Sequence, residues 1–295
     1  MISDYIIKKL EKIDMLPTFP DIVGKVSGII EDPKSSASDL AQHMDPSMVG
    51  EVLRIANSAY AGTRSFKKIT SLVHAIAVIG LKDLLNIILH MPFISMTDGD
   101  GGAFDRKKFI THSILCGTLA KGISRAVRMG DPNEVYLGGI EHDVGVIVEY
   151  RYFEEEWKEV IRLMSSMNLT RVEAERKVFS VDHGHIGAAL LDMWNTPKPI
   201  TDCVRFHHQP ETAEKNKDNV HVTHLANSLA KHIDIQEDFR GFDEFATKHR
   251  ISIKTALAIG KELSPSEEIA FIEDIYELLK GAKAYIESIT KERDD

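Results

Sequence analysis

A chain of 295 residues, 43% hydrophobic and 27% charged, can bury one large core or two modest ones and has the composition of a folded globular protein, which excludes a disordered chain. Its net charge of −9 argues against general affinity for nucleic acid or an anionic membrane, both of which need clustered Lys and Arg. Cys116 and Cys203 each sit in an apolar stretch and suit buried thiols in a reducing compartment, so the expected location is the cytoplasm.

The first predicted element is an amphipathic helix, with Ile2, Tyr5, Ile6, Leu10 and Ile13 at helical spacing and charges between them; it does not read as a signal sequence. No apolar run approaches membrane-spanning length. Asp45-Pro46 marks the next clear helix start, because an acceptor cap followed by proline leaves no backbone N–H wasted. Val52, Leu53, Ile55, Ala56 and Ala59 then recur at core spacing, and Asn57 among them is expected to bond to loop backbone, since buried amides need partners. The stretch from Ile69 to Ile79 is apolar enough to suit helix or strand.

Thr97-Asp98-Gly99-Asp100-Gly101-Gly102 suits neither helix nor strand and is the best internal boundary. Beyond it, Ile114, Leu115, Leu119 and Ile123 form a helical stripe. Asp131-Pro132 with Glu134, and Thr170 with Glu173, are capped starts. Glu211 to Asn219 reads as an exposed loop. Ser264-Pro265 with Glu267 opens a C-terminal helical stretch from Ile269 to Ile289. No segment alternates convincingly with period two. The expected fold is therefore all-α, with an N-terminal helical block at 1–97, a second helical block at 98–235 and a C-terminal helical extension at 236–295.

The chemistry lies in the second block. His142-Asp143 offers an imidazole and a carboxylate from one backbone site, and His112, His183 and the pair His207-His208 supply four more imidazoles. This is the raw material of a one-metal or two-metal centre, with iron or manganese favoured over calcium or magnesium by the imidazole-rich set. Spacings of 30, 40 and 24 residues between successive groups mean that only tertiary structure can assemble it. Val135 to His142 reads as a helix in which Gly138 and Gly139 permit close packing, with Gly145 as a C-terminal stop. His112 falls on the first turns of another helix, His183 precedes a helix from Ile186 to Trp194, and His207-His208 end a helix closed by Gln209-Pro210. A lone histidine is more often a capped or solvated residue than a ligand. His185, His221, His224 and His232 are read that way.

The order His112, His142-Asp143, His183, His207-His208 resembles the HD superfamily of metal-dependent phosphohydrolases. Leu16-Pro17-Thr18-Phe19-Pro20, Asp45-Pro46, Leu53-Arg54-Ile55-Ala56-Asn57-Ser58, Ala75-Ile76 with Ile79-Gly80, and Trp194 followed by Pro197 resemble the HDOD family, the HD-related output domain of bacterial signalling proteins. This resemblance runs from about Met15 to about Lys231. It implies an N-terminal helical bundle followed by an HD-like helical domain. It also implies that His112, His142 and a bridging Asp143 serve one ion, while Asp143, His183, His207 and His208 serve the other.

Where the superfamily has a final carboxylate, Leu225-Ala226-Asn227-Ser228 offers Asn227, whose neutral oxygen is a weaker ligand for a hard ion. Asn227 is expected to face His112 and His142 and to leave the first ion loosely held. The Gly-Tyr-Pro element of the cyclic-di-GMP phosphodiesterase branch is missing after His207-His208, which reads Gln-Pro-Glu-Thr. No cluster of Lys or Arg stands beside the ligands in the sequence. The resulting expectation is a bacterial regulatory module binding a signalling protein in trans or a small phosphorylated or nucleotide ligand. The alternative is a metal-dependent phosphohydrolase acting on a nucleotide or other phosphoester, and a third reading is a scaffold with a vestigial ligand set.

Overall fold

The computed structural model describes residues 2–13, 49–50, 52–53, 57, 68–79, 84, 104–231, 279–280, 282–283 and 286. The Asp45-Pro46 and Ser264-Pro265 starts, the 97–102 boundary and nearly all of the 236–295 extension lie outside these residues. The chain forms two compact units: Met1–Asp14, Gly101–Met193 and Pro197–Leu279 make one, and Met15–Asp100, Trp194–Thr196 and Lys280–Asp295 make the other. Residues 1–14 therefore group with the later block, and a division at residue 97 does not describe the N-terminal helix. Among the described residues there are helices and no strands, and no helix is long and apolar enough to cross a membrane.

Helix α1 (Asp4–Leu10) is capped by Ser3 and buries Ile6 and Leu10. Its place in the later unit follows from Tyr5, whose ring meets Phe153 edge-on at 6.0 Å and whose hydroxyl donates to Glu156. In the other unit, α2 (Leu72–Ile79) settles the ambiguous apolar stretch as helix. Asn57 behaves as expected of a buried amide. Its Nδ2 donates to the carbonyls of Leu53 (2.7 Å) and Ile69 (2.8 Å), and its Oδ1 accepts from the Ile69 N–H (2.7 Å). Leu53 is half-buried, while Ile55 lies outside the described residues.

Among the described residues, eight further α-helices build the later unit: α3 (Arg106–Val127), α4 (Pro132–Glu141), α5 (Val144–Tyr152), α6 (Glu154–Met167), α7 (Arg171–Phe179), α8 (His183–Met193), α9 (Lys198–Phe206) and α10 (Lys217–Ala230). Two caps read from sequence are realised. Asp131 accepts from the N–H groups of Asn133 and Glu134, and Thr170 with Glu173 completes a reciprocal capping box. The stripe Ile114, Leu115, Leu119 and Ile123 is buried, each such side chain contributing about 1.5–3 kcal/mol of burial. α10 begins inside the segment expected to be loop, because Asn219 is drawn in and donates to the Glu134 carboxylate at 2.7 Å.

Glycines set the distances between the helices that carry the candidate ligands. A Cβ on Gly139 would lie 2.8 Å from the Gly117 Cα, so α4 and α3 touch backbone to backbone. Gly145 departs from expectation. It is the second residue of α5, not a helix stop, and a Cβ there would lie 1.9 Å from the His183 carbonyl oxygen. The glycine is required by the close approach of α5 and α8.

Candidate metal centre

Four helix ends and two helix faces deliver the candidate ligands. His112 projects from the second turn of α3, His142 caps the C-terminus of α4, and Asp143 stands at the N-cap of α5. Asp143 makes no capping hydrogen bond, which leaves its carboxylate directed at the histidines. His183 is the first residue of α8, not a residue preceding it. His207 caps α9, with His208 next, and Asn227 comes from α10.

All six predicted imidazole and carboxylate groups converge. Asp143 Oδ1 lies 3.0 Å from His183 Nε2 and 3.6 Å from His207 Nε2, while Oδ2 lies 3.2 Å from His142 Nε2 and 3.8 Å from His112 Nε2. His208 Nε2 is 2.9 Å from His183 Nε2. The groups fall into two clusters, His112 with His142 and Asp143, and His183 with His207 and His208. Asn227 also points in, its Oδ1 3.2 Å from His112 Nε2. His185, His221 and His224 stay outside: their Nδ1 atoms bond to Asp182, the Lys217 carbonyl and the His207 carbonyl. His232 lies outside the described residues.

The outer ring nitrogens are held so that Nε2 faces inward. Nδ1–H of His142 donates to the Gly139 carbonyl, that of His207 to the Val204 carbonyl, and that of His183 to the Glu175 carboxylate, each at 2.7 Å. In a neutral ring this fixes Nε2 as a bare lone pair, the form a metal takes. His207 is fully buried and its Nε2 has no hydrogen-bond partner. An orphaned buried acceptor of this kind costs about 1–3 kcal/mol unless something cationic meets it. Donors held at right angles on one ion at about 2.1 Å stand about 3 Å apart, close to the spacing from Asp143 to His183 and His142. The residues therefore fit a divalent ion.

Titration without an ion agrees. Burial, then the neighbouring histidines, drives His112 down to about 4 and His208 down to about 3, and holds His207 well below its usual range. These three rings are neutral. Burial opposes charge on Asp143, His142 and His183 too, but their mutual attraction wins. Asp143 stays ionised well below the carboxylate range, His142 rises to about 10, and Glu175 and Asp143 hold His183 well above its usual range. Two protons thus sit where cations would sit, and metal uptake would release them.

Two features escaped the sequence. The first is a buried support behind His183. Glu175 takes both the His183 ring and its backbone N–H (3.0 Å), and Arg171 Nη1 stands 3.6 Å from Glu175 and 3.9 Å from Glu149. Burial and then the Glu175 charge push the Glu149 carboxyl well above its usual range, so it is protonated. Nothing in the charged run Arg171 to Lys177 distinguishes a buried Glu175 from a solvated one. The second is basic. A pocket of about 600 Å³ over the cluster is lined by Lys108, Arg171, Arg176 and Lys231 together with His112, Asp143, His183 and His208. The expectation that no cluster of Lys or Arg stands beside the ligands is corrected, because three separate segments, α3, α7 and the end of α10, bring them together. The signal was available: Lys108 is one turn before His112 and Lys231 one turn after Asn227.

Glu141, buried beside His142 with Oε2 unpartnered, is pushed up to about 8 by burial alone. Its proton is held more tightly folded than unfolded, so the stability it confers is complete below about 4.5 and is lost as pH rises to about 8. The limit is about 1.4 kcal/mol per pH unit. With chelator present, Glu141→Gln should gain on the native protein by more than about 2 kcal/mol between pH 5 and pH 8 in urea denaturation. A gap that does not change with pH would contradict the assignment.

A helical fold with a His/Asp cluster of this order defines an HD-like domain. The HDOD domain model matches residues 16–210, and the chain belongs to that family. An uncharacterised protein of Treponema pallidum (strain Nichols) is 27% identical over 242 residues, covering 76% of this chain and 44% of its own length, so the chain spans less than half of that relative. Among solved structures, an HDOD domain protein of unknown function from Geobacter sulfurreducens is 21% identical and covers 96% of each chain with a TM-score of 0.73. A candidate phosphohydrolase from Shewanella amazonensis SB2B is 16% identical, covers 98% of this chain and 99% of its own, and has a TM-score of 0.77. These likenesses establish the fold.

Proposed function

We propose that this protein is a cytoplasmic bacterial signalling module whose HD-like unit holds one or two divalent ions, iron or manganese, and acts by binding a partner protein or a small phosphorylated ligand. The observation that carries the metal reading is the inward-facing set of Nε2 atoms around Asp143, with His207 Nε2 buried and unpartnered. Asn227 favours binding over turnover. It leaves the His112–His142 side with a neutral oxygen where a carboxylate would balance an ion's charge, so the His183–His207–His208 side holds its ion more tightly.

A second reading, a metal-dependent phosphohydrolase acting on a nucleotide or other phosphoester, is supported by the basic pocket opening onto Asp143. A bound ion would there supply a Lewis acid for a phosphoryl oxygen and a water acidic enough to ionise near neutral pH. The residues' own share is to hold Nε2 inward, fix the carboxylate and attract an anion.

Elemental analysis of protein purified without added metal, followed by a phosphatase and phosphodiesterase panel with Mn, Fe and Mg, separates the readings. The regulatory reading expects bound metal and no turnover. Robust native turnover lost on His142→Ala would replace it with the enzyme. Asn227→Asp restores a charged oxygen at nearly the same size and should raise metal content measurably. Equal content in native protein and variant would remove Asn227 from the ligand shell.

A further inference from the structure

We propose that the pocket over the candidate metal centre binds a dianionic phosphoryl group, gripped by Lys108 and Lys231, on a ligand with a polar, hydroxyl-bearing body and no recognised base. This deepens the metal-and-phosphate reading of the same site. The first argument is charge. Of the four cations lining the pocket, Arg176 is spent on Asp182, with Nε at 3.1 Å and Nη2 at 2.7 Å from the same carboxylate oxygen. Arg171 faces Glu149 and Glu175 and lies over the Trp157 ring at 4.6 Å. Lys108 and Lys231 make no ion pair with any described residue, and both are exposed at the rim.

The second argument is placement. Lys108 stands one turn before His112 on α3 and Lys231 one turn beyond Asn227 at the end of α10, so both residues stand beside the part of the cluster where Asn227 offers a neutral oxygen. Two flexible ammonium groups suit a compact anion. A phosphomonoester brings two negative charges to them, and a diester brings one.

The third argument is the remaining wall. Gln209 offers neutral hydrogen bonding while the Thr170 hydroxyl is engaged by Glu173, Val172 is the one wholly apolar side chain, and no aromatic ring other than the imidazoles lines the pocket among the described residues. Among the described residues the lining offers a base no phenyl, phenol or indole ring to stack on, whereas a volume of about 600 Å³ accommodates a sugar phosphate with its waters.

The test is calorimetry on the full chain, metal-loaded and chelated, with ribose 5-phosphate, adenosine monophosphate and dimethyl phosphate as probes. Ribose 5-phosphate should bind, adenosine monophosphate should bind no more tightly, and dimethyl phosphate should bind at least roughly tenfold more weakly, about the value of one charge-assisted hydrogen bond. The double variant Lys108→Ala/Lys231→Ala should weaken ribose 5-phosphate by at least roughly tenfold while metal content stays at the native level. Unchanged affinity in the double variant, equal affinity for dimethyl phosphate, or tighter binding of the nucleotide would overturn the inference. A native protein that takes up no ion would sink the metal reading instead, and lysine-dependent phosphate binding in that protein would still uphold the clamp.

Discussion

Asp143→Asn should empty both ion positions at once. Its two oxygens approach four imidazoles, His183 and His207 through Oδ1, His142 and His112 through Oδ2, and among the described residues it is the one carboxylate within either ligand cluster. Asparagine keeps the shape and removes the charge that offsets an ion's own. Losing a group that merely orients a ligand typically costs 10–100-fold in affinity, so the bridging charge itself should cost at least about 100-fold. Elemental analysis should read near zero for the variant, with helical circular dichroism unchanged. Loss confined to one ion would show that Asp143 serves a single cluster and does not bridge.

The second large effect belongs to a residue without a side chain. In Gly145→Ala the new Cβ would stand 1.9 Å from the His183 carbonyl oxygen, 2.7 Å from its carbon and 2.9 Å from the Gly187 nitrogen. All three neighbours are backbone, and no rotamer can relieve the clash. The α5–α8 contact must open by more than an ångström, which should cost about 3 kcal/mol or more in urea denaturation. Since α8 begins at His183, the same opening draws its ring away from Asp143, now 3.0 Å distant. Metal content at the His183–His207–His208 cluster should fall before that at His112–His142. Native stability and native metal content together in this variant would contradict the packing argument.

These two positions show where the sequence was legible. Asp143 was readable because a vicinal His-Asp, with four more imidazoles in the HD order, has few uses other than a metal centre. Gly145 was misread because a glycine just after a helical run looks the same locally whether it ends a helix or lets another backbone approach; only the fold tells the two apart. The capping signals at Asp131 and Thr170 acted within four residues and were realised. Glu175, Arg171 and Arg176 depend on α7 meeting α3 and α10 at the cluster, and no local pattern encodes that meeting, whereas Lys108 and Lys231 each stand one turn from a candidate ligand. Asn227 was placed correctly by its resemblance to a motif, one turn away from a lysine whose importance the motif does not record.

The most direct measurement is anomalous diffraction from crystals of the native protein loaded with manganese or iron, collected on each side of the metal's absorption edge. The account expects a strong peak among His183, His207, His208 and Asp143, and a weaker one between His112, His142, Asp143 and Asn227. Loaded crystals with no peak in the pocket, or with the ion bound by residues elsewhere, would contradict it.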